Sequence, residues 1–110
     1  MNEKLKVMMI IAEREFSKKI IEKIKDVGAN YIHAVYARGT ARTDLLEVLG
    51  IGESEKILIL ATVKESKIEE IYQYLRNDFK FEKAGKGIAF TIPVVSVGGP
   101  ATLQILSGIV

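Results

Sequence analysis

No cysteine occurs in the 110 residues, which excludes disulfides, thiolate catalysis and thiolate metal sites together and fits a reducing compartment. Histidine is nearly absent as well. His33 stands alone, so no zinc cluster and no histidine-centred triad can be assembled, and it is read as a strand residue facing a neighbour or solvent. No apolar run is long enough to span a bilayer. The opening MNEKLKVMMIIAERE has too short an apolar core and no small-residue cleavage site after it, which predicts a soluble strand in a cytoplasmic protein. Charge of one sign is also missing in excess. The formal net charge of +2 comes from 16 basic residues interleaved with 14 acidic ones, without the basic stripe that tracks a phosphate backbone, and this argues against nucleic acid as a partner. The carboxylates Glu13, Glu15, Glu53, Glu55, Glu69 and Glu70 sit where solvated helix faces and loop ends place them, so no acid and base pair marks an enzyme.

What is present reads as one domain over 1–110, long enough for one core. Leu5 to Ala12 is a short apolar run rich in Val and Ile, a buried strand. Phe16, Ile20, Ile24 and Val27 then fall on one helical stripe, with lysines opposite and Gly28 placed to end the helix. Tyr31 to Arg38 reads as a second strand. The order repeats: Lys56 to Val63 is a strand, and Ser66 opens a helix with Ile68, Ile71, Tyr72, Leu75 and Phe79 inward and a Ser66/Glu69 capping box. Ile88 to Val97 supplies a fourth strand whose Pro93 points to an edge or a bulge. Two βαβ halves spliced together give an α+β, ferredoxin-like βαββαβ fold, a four-stranded antiparallel sheet with both helices on one face.

The strand segments VMMIIA, ILILAT and IAFTIPVV are apolar at odd and even positions alike, whereas a sheet with one wet face should alternate cleanly. The face opposite the helices is therefore expected to be buried by further copies of the chain. The C-terminal segment 98–110, with Leu103, Ile105, Leu106, Ile109 and Val110, either adds to that cover or docks another protein.

Two connections stand out. Gly39 to Glu55 is long for so compact a domain and is expected to be flexible and functional. In it, Asp44 and Glu47 can cap one helical turn bearing Leu45, Leu46 and Leu49, ended by Gly50 and Gly52. These leucines form either a partner-binding knob or a patch folded back on the assembly. The second connection is Lys83-Ala-Gly-Lys-Gly, whose glycines suit either a backbone nest for an anion or a plain turn into the strand.

The segments VYARGTAR, AGKGIAF and FTIPV, in this order of elements, resemble the PII nitrogen-regulatory signal proteins along nearly the whole chain. The resemblance implies a homotrimer with ATP or ADP in a cleft between subunits, a T-loop that reports ligand state, and a regulated partner such as a transporter or enzyme. It implies binding and not turnover. Gly39 and Arg42 match the family's residues at the base of the T-loop, and Gly85 and Gly87 match its phosphate-cradling glycines. Lys86 lies between the latter two where many members carry an acid, Ile88 replaces a phosphate-binding lysine, and SVGGPAT replaces a segment with two arginines. A hydrogen bond to a charged group contributes roughly 1.5–3 kcal/mol, and about 1.4 kcal/mol is tenfold in affinity, so these losses weaken a triphosphate site for which Lys83 or Lys86 would have to compensate. Thr43 stands where the family has a glutamine for 2-oxoglutarate and magnesium. No tyrosine lies between Tyr36 and Tyr72, which excludes tyrosyl nucleotidylation of that loop.

These features predict a ligand-gated regulator: an adenine nucleotide bound near Gly39, Arg42, Lys83, Gly85, Lys86 and Gly87, with Thr43, Leu45, Leu46 and Leu49 in the partner-binding segment. The alternative is a metal-handling trimer like the divalent-cation-tolerance proteins, which share the architecture; it has few soft ligands to work with here.

Overall fold

The computed structural model describes residues 4–37, 55–83, 87–99 and 101–102. β1 (Leu5–Glu13) runs through a 3-10 turn (Arg14–Phe16) into α1 (Ser17–Val27) and back along β2 (Asn30–Ala37). β3 (Lys56–Lys64) repeats the pattern, with a 3-10 turn (Glu65–Lys67), α2 (Ile68–Phe79) and β4 (Gly87–Pro93). The sheet order is β2-β3-β1-β4 with every neighbouring pair antiparallel. This is the ferredoxin-like arrangement that the sequence predicts.

Burial follows the period-two alternation of the strands. Met8, Ile10 and Ala12 of β1 stand opposite Ala61, Ile59 and Ile57 of β3, and all six are buried. They meet Ile20, Ile24 and Val27 of α1 and Ile71, Leu75 and Phe79 of α2 in one core. The start of α1 is locked to the end of α2 by aromatic rings: Phe16 and Phe79 have centroids 5.0 Å apart, and Tyr74 meets Phe79 edge-on at 5.3 Å. The Tyr74 hydroxyl also donates to the Lys19 carbonyl at 3.4 Å. Burial, with smaller effects from Asp78 and Glu22, raises the Tyr74 phenol above its ordinary pKa.

Each helix ends in a left-handed residue. After α1 it is Gly28, at φ 111°, with Ala29 N–H donating to the Ile24 carbonyl at 2.8 Å and Gly28 N–H to Lys25 at 3.1 Å, the paired bonds of a Schellman ending. After α2 it is Lys80, at φ 56°, whose N–H donates to the Arg76 carbonyl at 3.1 Å.

Three local expectations are corrected. β4 stops at Pro93 and does not continue to Val97: proline brings no N–H to the ladder, and beyond it Val94 N–H reaches the Leu5 carbonyl at 3.4 Å. Pro93 does lie on an edge strand. Ser66 lies inside the 3-10 turn that opens the second helical stretch, and Lys64 in extended backbone holds the position before that turn, so the helix does not start on a Ser66 cap. Third, β2 begins at Asn30 and is irregular, its register with β3 shifting between Asn30 and His33. Tyr31 there adopts φ 49°, and Thr62 Oγ1 donates to the Asn30 carbonyl at 3.0 Å.

On the face away from the helices, Val7, Met9 and Ile11 stand opposite Thr62, Leu60 and Leu58 on one side and Ile92, Phe90 and Ile88 on the other. Val35 continues the row beside Leu58. No helix among the described residues covers this apolar surface, and Val35, Phe90 and Ile92 are 56%, 40% and 46% exposed.

Candidate ligand-binding end of the sheet

One end of the sheet gathers the strand termini that matter. Glu13 at the end of β1 stands opposite Lys56 at the start of β3, Ala37 at the end of β2 pairs with the same Lys56, and Gly87 at the start of β4 pairs with Ala12. The connection 38–54 and the connection 84–86 therefore both meet the sheet at this end. β2 and β4 are its two edges, three strand spacings or about 14 Å apart.

Of the residues assigned to ligand binding, Lys83 and Gly87 are among those described. Gly39, Arg42, Gly85 and Lys86 lie outside them, as do Thr43, Leu45, Leu46 and Leu49 of the partner-binding segment and positions 103–110 of the C-terminal one. Lys83 is exposed in the turn after α2, where its backbone N–H donates to the Lys80 carbonyl at 2.9 Å. The residue lies on the route from α2 into β4.

Gly87 is fixed by packing. A Cβ at this position would come within 2.6 Å of Cε1 and 2.7 Å of Cε2 of the Phe81 ring, closer than real side chains approach. Any side chain at 87 must displace that ring, which packs against the core. Gly87 thus has a structural reason to be glycine whether or not an anion binds beside it. The same contact shapes a cleft of about 380 Å³ between α2 and β4, lined by Tyr72, Leu75, Arg76, Phe81, Glu82 and Ile88 among others. The Arg76 guanidinium in its wall is bonded to Glu69 at 2.6 Å. Ile88, which replaces a lysine by the resemblance, pairs with Ile11 in the apolar row and brings no charge to the site.

Sequence reasoning passed over two residues here. Lys56 begins β3 and is 6% exposed, a buried lysine in the central part of the sheet end. Arg14 follows β1 directly: its Nη1 donates to Glu55 Oε2 at 3.0 Å, its backbone N–H donates to the Glu55 carbonyl at 3.3 Å, and its guanidinium carbon lies 4.0 Å from the centre of the Tyr36 ring. A small hollow of about 230 Å³ is lined by Glu13, Arg14, Glu15 and Glu55. The signal available beforehand was a cation immediately after a strand whose partner strand carries an acid just before its own start. His33 pairs with Leu60, is exposed, and has its ring 4.7 Å from that of Tyr31.

Chemically the described residues at this end of the sheet offer the cations Arg14, Lys56 and Lys83, the carboxylates Glu13, Glu15 and Glu55, and the rings of Tyr36 and Phe81, groups that can hold a charged or planar ligand. Among the described residues, no three histidine or acidic side chains gather to hold a metal ion.

No family model matches the sequence, and no curated protein matches it. Solved structures do. A structure named as a PII-like signalling protein of Thermus thermophilus is 27% identical, covers 82% of this chain and 85% of its own, and superposes with a TM-score of 0.60. The structure of CPII from Thiomonas intermedia bound to ADP, AMP and acetate is 20% identical over 89% of this chain and 92% of that one, with a TM-score of 0.65. The Bacillus subtilis GlnK–ATP complex is 15% identical, covers 84% and 85%, and has a TM-score of 0.58.

Proposed function

We propose, from the premise that this chain is a divergent PII-like protein, that it is a homotrimeric cytoplasmic regulator that binds an adenine nucleotide in a cleft between subunits. It controls a partner protein, a transporter or an enzyme, through residues 39–55. The observation that carries this reading is the convergence of 38–54 and 84–86 on one sheet end. A ligand held there by Gly39, Arg42, Lys83, Gly85, Lys86 and Gly87 would touch the base of the partner-binding segment directly. CPII, with this fold, has been solved with ADP and AMP bound, and GlnK with ATP, which supports an adenine nucleotide as the effector class.

The apolar row Val7, Met9, Ile11, Leu58, Leu60, Ile88 and Phe90 supplies the surface for the trimer. Burial of apolar area stabilises association by roughly 25 cal/mol per Å², and in a single chain this row is only half-buried, with Phe90 exposed. The role is binding: ligand shifts the populations of two arrangements of the 39–55 segment, and it does so only to the extent that it binds one more tightly than the other. With Ile88 in place of a cation, the mono- and diphosphate are expected to bind at least as well as the triphosphate.

Isothermal titration of the purified protein with ATP, ADP, AMP and cyclic nucleotides tests this reading. Saturable heat with at least one of them, lost in Arg42→Ala, is the expected result. No heat and no thermal shift with any of them removes the nucleotide from the proposal.

A further inference from the structure

We infer that Arg14 is a positioning residue, a reversible electrostatic pin that holds together the two ends of the segment joining β2 to β3. One guanidinium touches both ends at once. Tyr36 lies at the close of β2, one residue before its end, and its ring sits 4.0 Å below the Arg14 guanidinium carbon. Glu55 immediately precedes β3 and receives Arg14 twice, side chain to side chain at 3.0 Å and backbone to backbone at 3.3 Å. A guanidinium is planar, so its face can lie on an aromatic ring while its edge donates to a carboxylate. A lysine ammonium has no such division between face and edge.

The setting argues for a pin that opens. The Arg14 and Glu55 side chains are 48% and 52% exposed, and Tyr36 is 62% exposed. Exposed ion pairs and exposed cation–π contacts each change an equilibrium by a factor of a few and weaken with salt. Nothing so weak contributes much to folding, yet together the contacts set how often the β2 and β3 ends separate. Arg14 directly follows β1, an interior strand paired with both β3 and β4, so the pin refers both ends of the segment to the interior of the sheet. This inference concerns the ligand-free protein and stands apart from the nucleotide reading: its test uses no nucleotide.

Amide hydrogen exchange of the full chain without ligand, resolved by residue, is the test. In Arg14→Ala, exchange at residues 36–37 and 55–57 should accelerate about 3- to 10-fold, the order expected from losing one exposed ion pair and one exposed cation–π contact. Met8 and Ile10 in the core of β1 should be unchanged. Glu55→Gln should show part of the effect, and Arg14→Lys should recover only part of the protection. Raising sodium chloride to about 1 M, where charges are screened beyond about 3 Å, should move the wild-type rates towards those of Arg14→Ala and leave the variant's own rates in place. The inference is overturned by unchanged exchange at 36–37 and 55–57 in Arg14→Ala, by an equal acceleration at Met8 and Ile10, or by a variant effect that salt does not reproduce.

Discussion

The two faces of the sheet are built from nearly the same residues and meet different fates. On one, Met8, Ile10, Ile57 and Ile59 are sealed beneath α1 and α2. On the other, one residue along each strand, Met9, Ile11, Leu58 and Leu60 are as apolar but lie under neither α1 nor α2. Adjacent positions on a strand point to opposite faces, so hydrophobicity alone does not say which face the chain covers by itself. The difference teaches that one face specifies the protomer, whereas the other is the surface proposed for association.

The sharpest way to break this contrast is to cut a side chain from each face in turn. Ile10→Ala leaves a cavity under both helices and should lower stability by about 2–5 kcal/mol, read as a lower urea midpoint with the m-value retained. Leu60→Lys, on the opposite face, puts an ammonium into the row proposed to bury in the trimer. It should shift the mass in solution from three chains to one while far-ultraviolet circular dichroism stays native. If Leu60→Lys unfolds the chain as Ile10→Ala weakens it, the two faces are not distinct in role.

Smaller effects come from the helix ends that seal the covered face. Gly28→Ala, forcing a Cβ into φ 111°, should cost about 1 kcal/mol. Lys80→Gly relieves the same backbone demand at φ 56° and should raise stability by up to about 1 kcal/mol, with thermal melting as the readout. Opposite signs at two equivalent positions distinguish a backbone effect from a packing effect.

The smallest effect is alkaline. The folded Tyr74 phenol has a raised pKa, chiefly through burial, so the fold favours its neutral form. That contribution is complete below the ordinary value of 10.0 and is lost as pH rises through the folded value. Wild-type stability should therefore fall more steeply above pH 10 than that of Tyr74→Phe, in paired melts across pH 9 to about 11.

Much of the protomer was legible in the sequence because its signals are local. The stripe Ile20, Ile24 and Val27, the inward set Ile71, Leu75 and Phe79, and Gly28 at the end of α1 each follow from spacing and residue type. What escaped depends on contacts remote in sequence. The helix end at Lys80 carries no glycine to mark it. The irregular start of β2 is secured by Thr62, 32 residues from Asn30. Of the site, the placement of 84–87 next to β1 follows from topology, but the Phe81 ring that forbids a side chain at Gly87 does not show in a Gly-x-Gly pattern. Arg14 escaped for the same reason: its partner Glu55 is 41 residues away, and a lone arginine after a strand looks like any solvated charge.

Light scattering coupled to size exclusion, at micromolar concentration, tests most directly whether the face opposite α1 and α2 joins copies of this chain. The account predicts a single species of three times 12.2 kDa that Leu60→Lys reduces to one chain. A stable, soluble wild-type species of 12.2 kDa would contradict it.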